Sequence, residues 1–413
     1  MKTRLYLMGI VVGLLLVAIG CMNRPLLYGV EVVPQVISPN ADGVNDVTQI
    51  KYSISRPSHL DIYFLDSQGE KYYFRQGNRR SPGEYQVYFG GTIEGRMLAN
   101  GVYTYVVEAT DDSTGVTERA EGELTISGAD TSPPELLDFT VFPDSFTPNR
   151  DGIGDRVAIN FRLTERAAVE VYLLDAEDRR YPVGVPKSMW GVEEESTPLI
   201  GPHKVELEPG IIEYDYDGGI DRGAPPPPDG RYTVVAVATD AAGNSVRVEA
   251  PLTIEEGGIP VAEVKFVEFW PTIVPLGGTL YFTATVENVG AVPIRTEGPP
   301  PETTYLATQN FNTLGYYESD GSFRVGVDFE GNSFGRRYPY RWQLGDEAEL
   351  EARIIDGQRH LYLLPGQQVT ITGGIIIDEP PPRTGPHFWV GLIHEGVRIV
   401  NDYQHPTEVS IGF

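Results

Sequence analysis

The sequence contains a single cysteine among 413 residues. One cysteine cannot form a disulfide within the chain, and it leaves no second thiol for redox chemistry. The folded domains must therefore be stabilised by their hydrophobic cores or by bound ions.

Basic residues are also scarce, with 32 Lys and Arg against 58 Asp and Glu and a formal net charge of −26. Nucleic acids and anionic lipid surfaces attract proteins of the opposite charge. The composition therefore predicts no nucleic-acid partner and favours the binding of cations.

Two common catalytic motifs are missing: the sequence has no phosphate-binding loop and no His-Glu-x-x-His pair. Four of the six histidines lie in the last third of the chain, at spacings that match no zinc motif: His360, His387, His394 and His405. We interpret them as scattered surface residues. The sequence predicts no enzymatic activity.

Long apolar runs are limited to residues 5–19, which follow Lys2 and Arg4 in the manner of a signal peptide over residues 1–20. Residues 17–21 (VAIGC) resemble a bacterial lipobox, although Ala18 stands where that motif prefers leucine. The resemblance implies an exported protein with acyl chains on Cys21, a membrane contact through this anchor, and a tether over residues 21–30. An uncleaved apolar anchor is the alternative.

The glycine and proline content is high, with 46 Gly and 33 Pro, as many short strands joined by turns require. A search for internal repeats shows SPNADGVND at 38–46 recurring as TPNRDGIGD at 147–155. LDIYFLD at 60–66 aligns with VEVYLLD at 169–175, and residues 100–111 align with 229–240. The chain thus predicts two copies of one domain, at 31–128 and 135–256.

The second copy is about twenty residues longer than the first between its strands, and we place the insertion at 185–204. This stretch includes Trp190, Glu193, Glu194 and Glu195. The sequence predicts a solvated surface loop there.

The two copies resemble the FlgD-type immunoglobulin-like domain. The residues that carry the resemblance are the SPNxDGxxD-like turns, the following strands, the segments at 88–91 and 216–219, and the (Asn/Asp)-Gly-x-Tyr strands. In that family a tryptophan usually precedes Gly-Gly, and we align Tyr88 and Tyr216 with it. The resemblance implies β-sandwiches with structural, anchoring or adhesive roles.

The remaining segment, 260–413, is predicted to be one larger β-sandwich, with strands at 279–288, 367–377 and 388–393. Its predicted loops hold two proline runs (299–301 and 380–382) and the stretch 310–340. Residues 286–290 (VENVG) and 364–368 (LPGQQ) resemble the CARDB type of adhesion sandwich. The fold class predicted is all-β, with three immunoglobulin-like β-sandwich domains in tandem after a signal peptide.

The acidic turns are the strongest candidates for a binding site, because each gathers several oxygen ligands around a glycine: Asn40, Asp42 and Asp46 in the first copy, Asn149, Asp151 and Asp155 in the second. Such loops suit calcium, with Asp111 and Asp240 as candidate remote ligands. An EF-hand is excluded, because Gln49 and Ala158 occupy the position of its glutamate. The alternative is that these side chains simply build Asx-turns.

Alternating aromatic residues offer one further hypothesis. Tyr338, Tyr340 and Trp342, with Phe388 and Trp389, could form a stacking platform for a sugar, or could pack inward as one face of a strand. Together these features predict a non-enzymatic cell-envelope lipoprotein that acts as a structural or adhesive scaffold and contacts an envelope protein or a glycan. The alternatives are a carbohydrate-binding surface protein and an accessory subunit of a larger envelope assembly.

Overall fold

The computed structural model describes residues 24–190, 204–380, 383 and 385–412. They form three β-sandwiches in tandem, which we call domains 1, 2 and 3, and the predicted fold class is confirmed. Cys21 and Glu193, Glu194 and Glu195 lie outside the described residues. Within them, no helix is long and apolar enough to cross a membrane.

Domain 1 packs a three-stranded sheet of order β1-β3-β6 against a five-stranded sheet of order β2-β10-β9-β4-β5, and β7 and β8 form a separate hairpin. Its strands are β1 (Leu27–Val33), β2 (Val36–Ile37), β3 (Thr48–Ile54), β4 (Ser58–Leu65), β5 (Lys71–Arg80), β6 (Gly83–Phe89), β7 (Thr92–Ile93), β8 (Arg96–Met97), β9 (Gly101–Asp111) and β10 (Thr117–Ile126).

Domain 2 repeats this plan with sheets of order β11-β13-β17 and β12-β19-β18-β14-β15, and β16 pairs with β14. Its strands are β11 (Leu136–Phe142), β12 (Ser145–Phe146), β13 (Val157–Leu163), β14 (Ala167–Leu174), β15 (Arg180–Pro182), β16 (Val205–Leu207), β17 (Gly210–Tyr216), β18 (Gly230–Thr239) and β19 (Ser245–Ile254); Lys187–Met189 and Ile220–Arg222 form 3-10 turns.

Domain 3 has sheets of order β20-β22-β29-β24 and β27-β28-β23-β25-β30-β31, with β26 beside β25 and β21 beside β32. Its strands are β20 (Ala262–Trp270), β21 (Ile273–Pro275), β22 (Thr279–Asn288), β23 (Ile294–Thr296), β24 (Thr304–Leu306), β25 (Phe323–Phe329), β26 (Tyr340–Gln343), β27 (Glu351–Ile355), β28 (Gln358–Leu363), β29 (Gln368–Ile376), β30 (His387–His394), β31 (Arg398–Glu408) and β32 (Ser410–Gly412); Phe311–Leu314 forms a 3-10 turn.

The three domains share one strand switch. In each, the first strand carries a bulge and ends at a cis X-Pro bond, after which the chain leaves the sheet of that strand. The short strand that follows pairs parallel with the last strand of its domain: Val36 with Thr125, Ser145 with Thr253, and Ile273 with Ser410. Domain 3, whose sequence does not match the repeat, therefore follows the same plan.

The predicted boundary of domain 1 moves towards the N-terminus. Strand β1 begins at Leu27, inside the residues assigned to a tether, because Leu26 and Leu27 are buried in the core and Leu27 pairs with Ile54. Of the insertion predicted at 185–204, the structure describes residues 185–190 and 204. Val185 is buried, and β16, which begins at Val205, adds a strand whose Val205 and Leu207 enter the core.

The structure shifts the predicted alignment of the two Gly-Gly segments by one residue. Thr48 and Val157 are equivalent in the repeat, and they pair with Phe89 and Tyr216, so Phe89 rather than Tyr88 matches the buried Tyr216. Tyr88 is 59% exposed. The sequence alignment matched the two tyrosines, whereas the sheet register matches the two inward-facing rings.

The predicted loop at 310–340 contains a central strand. All but the last residue of β25 are buried, because the strand lies between β23 and β30 in the middle of its sheet and is covered on both faces. Such a strand shows no alternation of polar and apolar residues. By contrast, one face of the strand predicted at 279–288 is more exposed than the other, and the predicted bounds are those of β22.

Candidate functional site

The turn at residues 38–46, here called turn 1, is held together by its own polar side chains. Oδ1 of Asn40 accepts a hydrogen bond from the amide of Asp42 (3.1 Å), and Oδ1 of Asp42 accepts one from Val44 (2.8 Å). The carboxylate of Asp46 accepts the amide hydrogens of Asn40, Ala41 and Gly43 at 2.7–3.2 Å. These are Asx-turns, in which short side chains satisfy nearby backbone donors.

Residues 147–155 form the same structure, here called turn 2. Oδ1 of Asn149 accepts from the amide of Asp151 (3.0 Å), and Oδ1 of Asp151 accepts from Ile153 (2.8 Å). Asp155 accepts the amide hydrogens of Asn149 and Gly152 at 3.1 and 2.7 Å. The structure therefore brings each predicted set of three residues together in one turn.

The two candidate remote ligands lie elsewhere. Turn 1 is at the Gly101 end of β9, because β2 and Gly101 both pair with Ile126 of β10. Asp111 ends the same strand, about 33 Å away at 3.3 Å per residue, and bonds Arg56 and Ser113. Asp240 directly follows β18 at the corresponding end and accepts a hydrogen bond from Asn244. Neither residue can complete the turn of its own domain.

Among the described residues, no three His, Cys, Asp or Glu side chains come together in a way that could hold a metal ion. Calcium binding at either turn stays a prediction.

Turn 2 is inserted into a surface of domain 3, which we call the socket, formed by Arg295, Tyr362, His394 and the backbone at Asp320–Gly321. Nε of Arg295 donates to the carbonyl oxygen of Asp151 (2.6 Å), and the Tyr362 hydroxyl donates to its Oδ2 (3.0 Å). Nε2 of His394 lies 2.8 Å from the carbonyl oxygen of Arg150. Since a carbonyl oxygen only accepts, His394 carries a proton on Nε2.

Glycines allow the two backbones to meet. A Cβ on Gly152 would overlap the carbonyl oxygen of Asp320, and a Cβ on Gly321 would overlap the backbone of Asp151. Both glycines also have positive φ, at +83° and +80°, a region that glycine occupies without steric cost. Beside this contact, Arg353 forms a two-point ion pair with Glu256 of domain 2, at 2.6 and 3.1 Å.

A buried ionic cluster supports the socket from within domain 3. Glu395 is bonded by Arg341 (2.7 Å to each carboxylate oxygen) and by Arg324 (3.1 Å), and all three are almost completely buried. The Phe311 ring covers both guanidinium groups, at 4.4 and 5.4 Å from its centre. The backbone carbonyl of Glu395 accepts the amide of Gly321 (2.9 Å), so the cluster fixes the socket backbone.

Burial at this junction shifts the ionisation of its side chains. Burial, with the nearby charge of Asp151, raises the pKa of Asp155 to about 6, and burial also raises the pKa of Asp151. Burial lowers the pKa of His394 to about 4, aided by the positive charges of Arg150 and Arg398. His394 is therefore a neutral donor at neutral pH.

The junction between domains 1 and 2 uses different elements. The buried Asn244, in the turn between β18 and β19, accepts the amide of Met97 (2.9 Å) and donates to the carbonyl oxygen of Asp130 (3.0 Å). Thr92 donates to the carbonyl oxygen of Ala242 (2.9 Å). Domain 2 thus holds the β7–β8 hairpin of domain 1, and turn 1 is left exposed from Asn40 to Asn45.

The structure also tests the predictions made for the aromatic residues and the histidines of domain 3. Tyr338, Tyr340 and Trp342 are at most 1% exposed, so a sugar platform on these residues is wrong, and the alternative of inward packing is confirmed. Phe388 is also buried. Of the four histidines, His394 is buried in the junction and not on the surface; His360 and His387 are half-buried and His405 is exposed.

Sequence reasoning missed the socket residues. Arg295 and His394 contact residues 144 and 244 positions away, and both contacts are to backbone carbonyls. A signal in the sequence was the presence of arginines within apolar strands of domain 3, namely Arg295, Arg324 and Arg341.

A family model described as the CHU_C type IX secretion signal domain matches residues 31–126, which is most of domain 1. The match implies an exported protein of the cell surface or the medium. A comparison with curated proteins gave no match.

Among solved structures, the chain is similar to E. coli alpha-2-macroglobulin, with 11% identity and a TM-score of 0.22, over 94% of this chain and 23% of that one. It thus spans about a quarter of that protein's length. It is also similar to a tetra-tandem repeat from the extending region of a large adhesion protein (13%, 0.20, over 91% and 72%) and to the FN1–FN3 domains of chicken CNTN1 (10%, 0.26, over 94% and 100%). At these identities the likeness concerns the fold alone.

Proposed function

We propose that this chain is an exported, non-enzymatic scaffold of the cell envelope, anchored through Cys21, in which domains 1 and 2 hold domain 3 away from the membrane and present it to an envelope protein. The observation that carries the proposal is the docking of turn 2 into the socket. The type IX secretion match supports export. We also propose, from the sequence resemblances, that domains 1 and 2 are of the FlgD type and that domain 3 is of the CARDB type.

The scaffold role follows from how the junction is built. Its hydrogen bonds join a backbone turn to short or buried side chains, and its two glycines bring the backbones into contact. A buried hydrogen bond contributes about 0.5–1.5 kcal/mol and a buried polar group left unpaired costs about 1–3 kcal/mol, whereas exposed ion pairs contribute about 0–1 kcal/mol each. A spacer that fixes the orientation of its terminal domain requires a junction of this kind.

Small-angle scattering of the full chain tests the fixed junction. We expect the wild-type protein to scatter as one elongated rigid particle. A variant with Arg295→Ala and Tyr362→Phe should show the broader distance distribution of a hinged particle, because both side-chain bonds to Asp151 are lost. The matched control is Arg119→Ala on the exposed face of β10, which should scatter as wild type. Hinged scattering by the wild-type protein would refute the scaffold role.

Export and anchoring are tested separately. A reporter fused after residue 134 and expressed in a bacterium with a type IX secretion system should leave the cytoplasm, and retention inside the cell would contradict export. Cys21→Ser should move the full-length protein from the detergent phase to the aqueous phase. An unchanged distribution would refute acylation at Cys21 and favour the uncleaved anchor.

A glycan partner keeps one specific observation in its favour. The rings of Trp270 and Tyr281 lie side by side on the outer face of domain 3, with centres 6.0 Å apart and planes 24° apart, and are 39% and 43% exposed. Adjacent exposed rings can stack on sugar faces. A glycan array probed with wild-type protein and with Trp270→Ala tests this candidate, and binding that survives the substitution would exclude this surface.

A further inference from the structure

The chain carries the same docking element twice and uses it once. Turns 1 and 2 share their Asx bonds, and both have positive φ at equivalent positions: +62° and +59° at Ala41 and Arg150, +85° and +83° at Gly43 and Gly152. In both, the proline carbonyl accepts an amide hydrogen from the linker that follows the domain. The two turns therefore present the same backbone shape.

The socket recognises groups that both turns possess. Its bonds reach the carbonyl oxygens of residues 150 and 151 and the carboxylate of Asp151. Turn 1 offers the carbonyl oxygens of Ala41 and Asp42 and the carboxylate of Asp42 at the equivalent positions. The side chain of Arg150, which turn 1 lacks, reaches Asp221 within domain 2 and not the socket.

Turn 1 is accessible in the folded chain. Residues 40–45 are exposed, and a Cβ on Gly43 would meet nothing within 4 Å. Domain 2 is held by the β7–β8 hairpin and the Asp130 linker, so it does not cover the turn. The one socket found in the described part of the chain is filled by turn 2.

We propose that turn 1 docks into a socket of the domain 3 type on a second polypeptide. The partner is a β-sandwich that presents an arginine guanidinium to the carbonyl oxygen of Asp42, a hydroxyl to its carboxylate, and a neutral histidine N–H to the carbonyl oxygen of Ala41. Charge favours the pair, because turn 1 has two carboxylates and no basic side chain, whereas the socket centres on a buried arginine.

The chain supplies a probe for this proposal, namely its own socket with turn 2 removed. Gly152→Ala should displace turn 2, because the new Cβ overlaps Asp320, while the linker keeps domain 3 attached. In the wild-type protein, turn 2 competes at the high effective concentration that a short linker provides, so the wild type should stay monomeric. In the variant, the vacant socket should accept turn 1 of another molecule.

Sedimentation velocity over a concentration series measures the result. We expect Gly152→Ala to associate, and the double variant Gly152→Ala/Gly43→Ala to be monomeric, because a Cβ at Gly43 blocks docking as it does at Gly152. The matched control is Gly152→Ala/Gly115→Ala: Gly115 has φ +71° and open space around it, at the far end of domain 1. This control should associate like Gly152→Ala.

A monomeric, folded Gly152→Ala protein would overturn the proposal, and so would association that persists when Gly43 is substituted. If Gly152→Ala does not fold, as judged by circular dichroism, Asp151→Lys replaces it. That substitution puts a positive charge opposite Arg295 and keeps the glycine at position 152. A monomeric Asp151→Lys protein, or association that persists when Gly43 is also substituted, would likewise overturn the proposal.

Discussion

Substituting Gly43 and Gly152 separately by alanine measures the strength of the junction between domains 2 and 3. The two glycines occupy equivalent positions, with φ of +85° and +83°. Alanine in this left-handed region costs about 1–2 kcal/mol relative to glycine, and this cost is the same for both. Only Gly152 faces another domain.

The difference between the two variants is therefore the cost of separating the domains. Gly152→Ala removes the three hydrogen bonds that the socket makes to turn 2, each worth roughly 0.5–1.5 kcal/mol, so the expected additional loss is about 3 kcal/mol. Gly43→Ala should lose only the backbone cost, because its Cβ points into open space.

Two assays measure the difference in stability between the Gly43→Ala and Gly152→Ala variants. Differential scanning calorimetry, fitted domain by domain, should show a small shift of the domain 1 transition for Gly43→Ala and a larger shift of domains 2 and 3 for Gly152→Ala. Limited proteolysis at the linker 255–260 should accelerate in Gly152→Ala alone. Equal losses in the two variants, with equal proteolysis, would refute the claim that the docked turn stabilises the junction.

Three further predictions follow from the junction and from turn 1. His394 and Asp155 should give opposite pH dependences of the free energy of unfolding. The lowered pKa of His394 makes this free energy fall as pH drops from 6.5 towards 4, and the raised pKa of Asp155 makes it rise as pH drops from 6 towards 3.8. Each change is about 3 kcal/mol, because one pH unit corresponds to about 1.4 kcal/mol. Chemical denaturation from pH 4 to 7 should thus show stability rising with pH in Asp155→Asn and falling with pH in His394→Gln, and the reverse slopes would contradict the assignment. Glu395→Gln should destabilise domain 3 by about 3–5 kcal/mol, since it leaves two buried guanidinium groups without a counter-charge; an unchanged denaturation midpoint would show that the cluster is not ionic. Asp46→Ala should destabilise domain 1 by about 2 kcal/mol through its lost amide bonds, equally with and without millimolar calcium, whereas a calcium-dependent gain in the wild type that the variant lacks would establish a metal site.

The sequence allowed the repeat, the fold class and the strands with one buried face to be predicted. Strand β22 alternates over most of its length because one face packs inward, and its bounds agree with the prediction. Strand β25 was missed because it is covered on both faces and carries a buried Arg324. A pattern of alternation detects a strand at the surface of a domain but not one at its centre.

The candidate turns were located correctly, but their environment could not be predicted. Turns 1 and 2 share five of their nine residues, yet residues 40–45 of turn 1 are exposed, whereas Asn149 and Asp151 of turn 2 are buried. The difference lies in the socket residues, which recognise backbone atoms from 144 or more positions away. Two of the three socket hydrogen bonds are to backbone carbonyls, and such bonds leave no trace in the sequence of the segment that is recognised.

The strand switch shared by the three domains determines how the chain would respond to a pulling force. In each domain, the short strand that follows the first strand pairs parallel with the segment just before chain exit: Val36–Ile37 with 125–126, Ser145–Phe146 with 253–254, and Ile273–Pro275 with Ser410–Gly412. Tension along the chain therefore shears these paired segments lengthwise, so that their hydrogen bonds are loaded together and not broken one after another. A molecule held at one end and pulled at the other would resist extension at all three of these pairs.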